Sequence, residues 1–383
     1  MLYDVIVIGT GPSGSISSAM LAGAGFNVLA LEKGVHPRSK PCGGCISKRI
    51  DRYFDIQSLG VVERVINGVI FTYRAREEHS YTSPQDVAYM VDRMRLDQIL
   101  CERARASGVD VREGSRVRHI TQKNGIMRVK TDSNEFESRI VIGADGANGI
   151  TRGLVASASK YRKYVTVERR LDDGVFIQRL ENKVLIDVGR VVKGYGWIFP
   201  HSDYLSAGIA KLKSAGEPLI NCLSQFLNQV DIRNVASPTH AHPIYSFAGR
   251  KQRLVHQNIV LVGEAGGLTD PFLGEGIFQA IRSGQIAACC VANRLRGVRD
   301  ALFQYEQQIA HEFYREFRRA AQLSYLASIC PRYFYRKLAL RPRGIEMLFS
   351  VLRGEGNYNR MFWMAVKWLG LRIVPPPLRQ EFC

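Results

Sequence analysis

The stretch "YDVIVIGTGPSGSISSAMLAGAGFNVLALEKG", Tyr3 to Gly34, decides the fold. Val5 to Ile8 is a short apolar run that reads as a strand, and Gly9-x-Gly11-x-x-Gly14 follows it at once. Residues 15 to 24 are small and helix-compatible, and Asn27 to Leu31 forms a second strand that ends at Glu32. A strand, a glycine turn, a helix, a second strand and an acid about 20 residues on make the fingerprint of a dinucleotide-binding unit. Each part has a physical task. Gly9 and Gly11 let the backbone turn tightly and approach a pyrophosphate, and Gly14 lets the helix pack close to the sheet. The helix start at Pro12 and Ser13 offers N–H groups and positive potential to the anion. Glu32, with Lys33 beside it, stands where a ribose diol can donate to a carboxylate.

The rest of the composition bounds the answer. The 383 residues have room for one large or two intertwined domains, and 46% apolar content is ordinary for a globular protein with a sizeable core. Lys and Arg number 53 against 35 Asp and Glu, which favours contact with something anionic: nucleic acid, phospholipid, a phosphorylated substrate or an acidic protein. The eight cysteines are scattered, with only Cys42/Cys45 and Cys289/Cys290 close together, unlike the framework of a secreted domain. The opening "MLYDVIVIGTG" has no basic start and carries Asp4 inside it, so it does not read as a signal sequence. No apolar run nears the roughly 18 to 20 residues that span a bilayer. The expected location is the cytoplasm, with peripheral contact to the inner face of a membrane.

Two distant segments specify the dinucleotide. "RIVIGADGANGITR" (Arg139 to Arg152) and "NIVLVGEAGGLTDPFLGEGIFQAIRSGQIAA" (Asn258 to Ala288) each show a short buried strand running into glycine and an acid. In the second, Leu273-Gly274-Glu275-Gly276 leads into a helix whose N–H groups suit the negative pyrimidine edge of a reduced flavin. These three motifs, in this order, resemble the glutathione-reductase-type flavoproteins, within them the para-hydroxybenzoate-hydroxylase-like fold, and more closely the geranylgeranyl reductase family. The resemblance covers residue 1 to about residue 300 and implies FAD. It implies that Asp145 and Gly146 belong to the cofactor site, and that Gly263 and Glu264 stand at the ribityl chain. It places Pro271, Gly274, Gly276 and Ile277 beside the isoalloxazine. The family usually carries Asp where this chain has Glu264. "VDRMRLDQIL" resembles the family's R-x-x-F-D-x-x-L helix, with Leu96 for Phe. That implies Arg93 near the flavin phosphates or ring; a solvated helix charge is the plain alternative.

The chemical end is read from two stretches. In "KPCGGCISKRI" (Lys40 to Ile50) two glycines after a cysteine permit a close backbone approach. Cys42-x-x-Cys45 lacks the second ligand pair of a zinc site and the fold context of a thioredoxin-like pair, so no metal is expected. The resemblance implies that Cys42, Gly43 and Gly44 lie over the flavin next to substrate. In "KGYGWIFPHS" (Lys193 to Ser202), Tyr195, Trp197 and Phe199 are spaced two apart, which on a strand puts the rings on one face and Gly194 and Gly196 on the other. Such a face is sheet core or cavity wall. The family's P-x-x-Y-x-W-x-F-P matches Tyr195, Trp197, Phe199 and Pro200, with Val192 at the first Pro. It implies a long apolar cavity for an isoprenoid chain, with the Tyr hydroxyl and Trp N–H as its polar handles.

The expected architecture is α/β. A discontinuous Rossmann-like FAD-binding domain takes residues 1–60, 90–155 and 245–300. An inserted antiparallel β-sheet substrate domain takes 61–89 and 156–244, with "VINGVIFTYRA" and the run from about 160 to 215 in one sheet. A basic helical region takes 301–383. The implied activity is an FAD-dependent reductase that saturates C=C bonds of an isoprenoid chain in a lipid, a quinone tail or a prenyl diphosphate. No His, Asp or Glu stands out as proton donor. No second strand-GxGxxG-helix unit is present, so the expected electron donor is NAD(P)H bound transiently at the flavin, reduced ferredoxin or a quinol, and the basic surface suits an acidic redox protein as well as an anionic membrane surface. The alternatives are an FAD-dependent monooxygenase (hydroxylase) on the same fold and a non-catalytic prenyl-binding carrier. From His311 to the end, 13 Arg and Lys stand against 5 acids, interleaved with aromatics. No nucleic-acid fold signature accompanies them, so nucleic acid is not an expected partner. The last apolar segment reads as a cap on the cavity, an interfacial helix with Trp363 and Trp368 at headgroup level, or a plain packed helical C-terminus.

Overall fold

The computed structural model describes residues 1–156, 161–213, 218–232, 237–249 and 251–370. The last 13 residues of the expected helical region, 371–383, lie outside the described residues.

Strand Leu2–Ile8 is the centre of an eight-stranded sheet, because Val5, Ile6 and Val7 are apolar on both faces and fully buried. It pairs in parallel with Val28–Leu31 on one side and with Glu135–Gly143 on the other, and Glu135–Gly143 pairs in parallel with Ile259–Leu261. The register places Ile8 beside Leu31 and Gly143, and Gly143 beside Leu261. All three glycine-and-acid motifs therefore leave the sheet at one carboxyl edge, where ligands of such sheets bind. Helices Pro12–Gly23 and Ile277–Leu295 pack against one another over the sheet.

The second sheet has seven strands, in the order His240–Phe247, Tyr161–Leu171, Leu205–Leu212, Gly194–Pro200, Lys183–Val188, Gly68–Tyr73, Glu77–Thr82. It departs from the expected antiparallel pattern at one pair: Lys183–Val188 runs parallel to Gly68–Tyr73. Those strands are joined through a long excursion rather than a hairpin, so no turn imposes an antiparallel direction. Only the second half of "VINGVIFTYRA" joins this sheet. Val62–Ile66 pairs instead with Ala88–Val91, in a three-stranded sheet that also holds Cys45–Ser47. Helices Gly174–Leu180 and Leu219–Gln229 cover one face of the seven-stranded sheet, with Leu180, Leu223 and Phe226 buried against Leu185, Ile198 and Ile209. The opposite face looks toward the glycine motifs.

The C-terminal helices Arg315–Ile329, Pro342–Arg353 and Tyr358–Trp368 share a core of Ala320, Leu323, Val351, Tyr358, Met361 and Phe362, and Phe272 and Leu273 pack on it. Among the described residues, no helix is long and apolar enough to cross a membrane.

Candidate functional site

At the nucleotide end, Gly14 is obligatory. A Cβ there would lie 1.9 Å from the Gly9 carbonyl oxygen, so only glycine allows the helix this close. No side chain caps the first turn of Pro12–Gly23, whose N–H groups open toward the loop. Glu32 is buried at the strand end, where its carboxylate accepts from Thr10 N (2.9 Å) and Gly34 N (3.0 Å) and pairs with Arg38 (3.4 Å). Burial opposes its ionisation, but Arg38 and the two N–H groups hold its pKa below the usual range. Arg38 also pairs with buried Asp97 at 3.3 Å, while its Nε is buried without a partner. It is the nearest group to Gly11. A cationic donor left unsatisfied beside an uncapped helix and a glycine loop fits an anionic dinucleotide.

A cavity of about 730 Å³ starts at Gly11, Pro12 and Ser13, passes Lys40–Cys45 and Thr269–Ile277, follows the aromatic strand and ends among Phe334, Ile345, Leu348 and Phe349. Tyr195, Trp197 and Phe199 all line it, with successive ring centroids 6.2 Å apart. Gly196 faces Phe226 on the other side of the sheet. The Cys42–Gly44 loop lies against this wall, for a Cβ on Gly43 would come 2.9 Å from Phe199 Cδ2 and 3.3 Å from Trp197 Nε1. His201 Nε2 meets the Gly43 carbonyl at 3.2 Å, and its Nδ1 bonds Glu63. Gly274 has φ +72°, and a Cβ there would meet Tyr195 Oη at 2.5 Å.

The polar handles expected on the wall are already used. Tyr195 Oη donates to the Leu273 carbonyl (2.8 Å), and Trp197 Nε1 donates to Ser206 Oγ (3.2 Å). The wall therefore presents ring faces rather than hydrogen-bond donors, which suits hydrocarbon.

Arg93 lines the cavity and is buried, not solvated: it makes a two-nitrogen contact with Asp97 at 2.9 to 3.2 Å. Burial works against its charge, but Asp97 and the Cys42 sulfur hold its pKa up. Glu264 faces Lys40 (3.3 Å) and His242 (3.4 Å); although burial opposes ionisation, these two hold its pKa at about 2. Pro271, Gly276 and Ile277 line the cavity, and no side chain caps the helix that begins at Ile277. Gly146 lines it as well. Gly263, close-packed against Ser13, supports that loop from behind.

Three expected residues stand elsewhere. Lys33 is exposed, Asp145 turns to accept from Thr151 N (3.0 Å) and Thr151 Oγ1, and Pro200 ends its strand outside the cavity lining. Sequence reading missed Arg38, Lys40, Glu168, His242 and the buried group Arg49, Glu275, Asp270 and Tyr358. Glu168 Oε1 accepts from Cys42 N at 2.8 Å, and burial pushes its carboxyl up. Strand periodicity was the available signal, since Tyr164, Thr166 and Glu168 alternate on one face and all line the cavity. Among the described residues, His36, Cys101 and Glu113 bring ligand-type atoms within 4.8 Å, but Glu113 is engaged by His36 N (2.7 Å) and Arg105 (2.8 Å), and burial keeps the Cys101 thiol protonated.

A family model described as an FAD binding domain matches residues 2–167. The chain is 30% identical over 308 residues to geranylgeranyl diphosphate reductase of Rhodobacter capsulatus, covering 75% of this chain and 74% of that one. It is 25% identical over 396 residues to menaquinone reductase of Mycobacterium tuberculosis, covering 96% and 95%. Among solved structures, a geranylgeranyl bacteriochlorophyll reductase-like protein of Thermoplasma acidophilum matches with a TM-score of 0.76 at 21% identity, over 95% of this chain and 96% of that one.

Proposed function

The chain belongs to the geranylgeranyl reductase family of FAD-dependent oxidoreductases, and from that premise we propose that it saturates C=C bonds of an isoprenoid chain carried by a lipid, a quinone tail or a prenyl diphosphate. The observation that carries this reading is the cavity, whose lining joins the nucleotide loop, the aromatic wall and a mostly apolar set of C-terminal residues. A long hydrocarbon matches the apolar lining beyond the residues assigned to FAD; a small polar substrate would meet ring faces and aliphatic side chains there.

When bound, FAD supplies the hydride. The chain's own residues do the rest. The Gly11–Gly14 loop and its helix N-terminus would hold the pyrophosphate, with Arg38 adding charge, and Glu32 would accept from the ribose. The uncapped start of Ile277–Leu295 would stabilise negative charge on a bound flavin. The Cys42–Gly44 loop and the rings of Tyr195, Trp197 and Phe199 align the double bond and exclude water. NAD(P)H or an acidic ferredoxin supplies the electrons. The apolar end lies near Tyr325, Ile329 and Tyr333, which are exposed among the basic residues Arg332 and Arg336. We read this as the side that meets an anionic membrane and admits the chain.

The test is anaerobic. Flavin reduced with dithionite is expected to reoxidise on a geranylgeranyl lipid or diphosphate without oxygen. Flavin that stays reduced until oxygen is admitted would overturn the reading in favour of a hydroxylase.

A further inference from the structure

Strand Tyr161–Leu171 lies two positions from the aromatic strand, with Leu205–Leu212 between them. Glu168 is directly opposite Gly208, and Gly208 is directly opposite Trp197. Residues opposite one another across a ladder share a face. Glu168 and Trp197 thus stand in one row, and the indole lies over the intervening glycine: a Cβ on Gly208 would be 2.3 Å from Trp197 Cζ2. An ionisable side chain stands in the middle of the apolar wall.

Other carboxyls that line the cavity are engaged. Glu264 is held by Lys40 and His242. Asp270 accepts from Phe272 N, Leu273 N and Tyr358 Oη, and Glu275 from Ser47 and Arg49. Glu168 accepts one hydrogen bond among the described residues, at Oε1 from Cys42 N, and its other oxygen is left to the cavity.

We propose that Glu168 is the proton donor of the reduction. This rests on the reductase reading above. The hydride, two electrons and one proton, comes from reduced FAD, which is oxidised, and forms a C–H bond at one carbon of the double bond. The Glu168 O–H bond breaks and its proton forms the C–H bond at the other carbon. The carboxylate regains a proton from solvent on the side of His240, its exposed register partner. Burial raises the Glu168 pKa against the Cys42 N–H and the pull of Arg170, His240 and His242, the charged and titratable groups that face it. A carboxyl that keeps its proton in a dry site can deliver it.

Glu168→Gln retains an oxygen for the Cys42 N–H and removes the acid. Infrared difference spectra of wild type and variant, with and without flavin, should show a protonated carboxyl that titrates above the usual carboxylate range and is missing from E168Q. Anaerobic reoxidation of reduced flavin by the prenyl compound should slow about 100-fold or more in E168Q. Its alkaline limb should vanish, while flavin content stays unchanged. A variant that keeps the wild-type rate and pH limb, or a wild type without the carboxyl signal, overturns the assignment and leaves the reductase reading standing. Wild-type flavin that does not reoxidise on any prenyl compound defeats the reading itself, and the assignment with it.

Discussion

Glu264 sits between Lys40 Nζ and His242 Nε2, so its carboxylate has an ammonium and an imidazole nitrogen within 3.4 Å at 15% side-chain exposure. The longer side chain, where the family usually has Asp, reaches across the cavity to the loop ahead of Cys42. Its folded-state pKa of about 2 lies below the ordinary 4.5, so the stability it adds is present above the unfolded value and is lost as pH falls toward 2. The size is up to about 3 kcal/mol. Urea unfolding of flavin-free protein at a series of pH values should show wild type losing that advantage over Glu264→Gln between those two pH values. Parallel curves for the two proteins would show that the pair contributes nothing. None of this is visible in the order of residues, because Lys40 and His242 are 224 and 22 positions away from Glu264.

The loop Asp270–Gly276 is the element on which three parts of the molecule converge. Its Asp270 turns the loop by accepting from Phe272 N and Leu273 N, and also accepts from Tyr358 Oη at 2.8 Å. Arg49, from the segment after the Cys42 loop, bonds Glu275 and lies 3.8 Å from Asp270. Helix Tyr358–Trp368 is in this way tied to that loop, and Met361 on it lines the cavity. The described part of the segment packs against this loop, and its residues from 371 on lie outside the described residues. Tyr358→Phe removes a hydrogen bond to a buried carboxyl and should cost about 1.5 to 3 kcal/mol in denaturant unfolding. It should also speed release of FAD, measured by flavin fluorescence after dilution. Unchanged release would show that the helix does not govern the loop.

At the scale of the molecule, the net charge of +18 and the exposed Tyr325, Ile329 and Tyr333 at 56%, 54% and 44% relative exposure belong to one argument about lipid. Vesicles with anionic phosphatidylglycerol should bind the protein, and phosphatidylcholine vesicles should bind it weakly. Arg332→Gln with Arg336→Gln should weaken the anionic binding about 30-fold, from roughly 1 kcal/mol per charge. Equal cosedimentation with both vesicles would remove anionic charge from the account, and cosedimentation with neither would remove the membrane. The sequence by itself determined the nucleotide end and the aromatic strip. Gly9, Gly11, Gly14 and Glu32 answer to local backbone geometry, and the two-residue spacing of Tyr195, Trp197 and Phe199 answers to strand periodicity. Only the tertiary structure decided which face of Tyr161–Leu171 meets Trp197, which side chains hold Glu264, that Asp145 bonds Thr151, and that Tyr195 and Trp197 keep their own hydrogen bonds. Those outcomes depend on the register of strands and the packing of loops far apart in the chain, and no local pattern of residues carries that information.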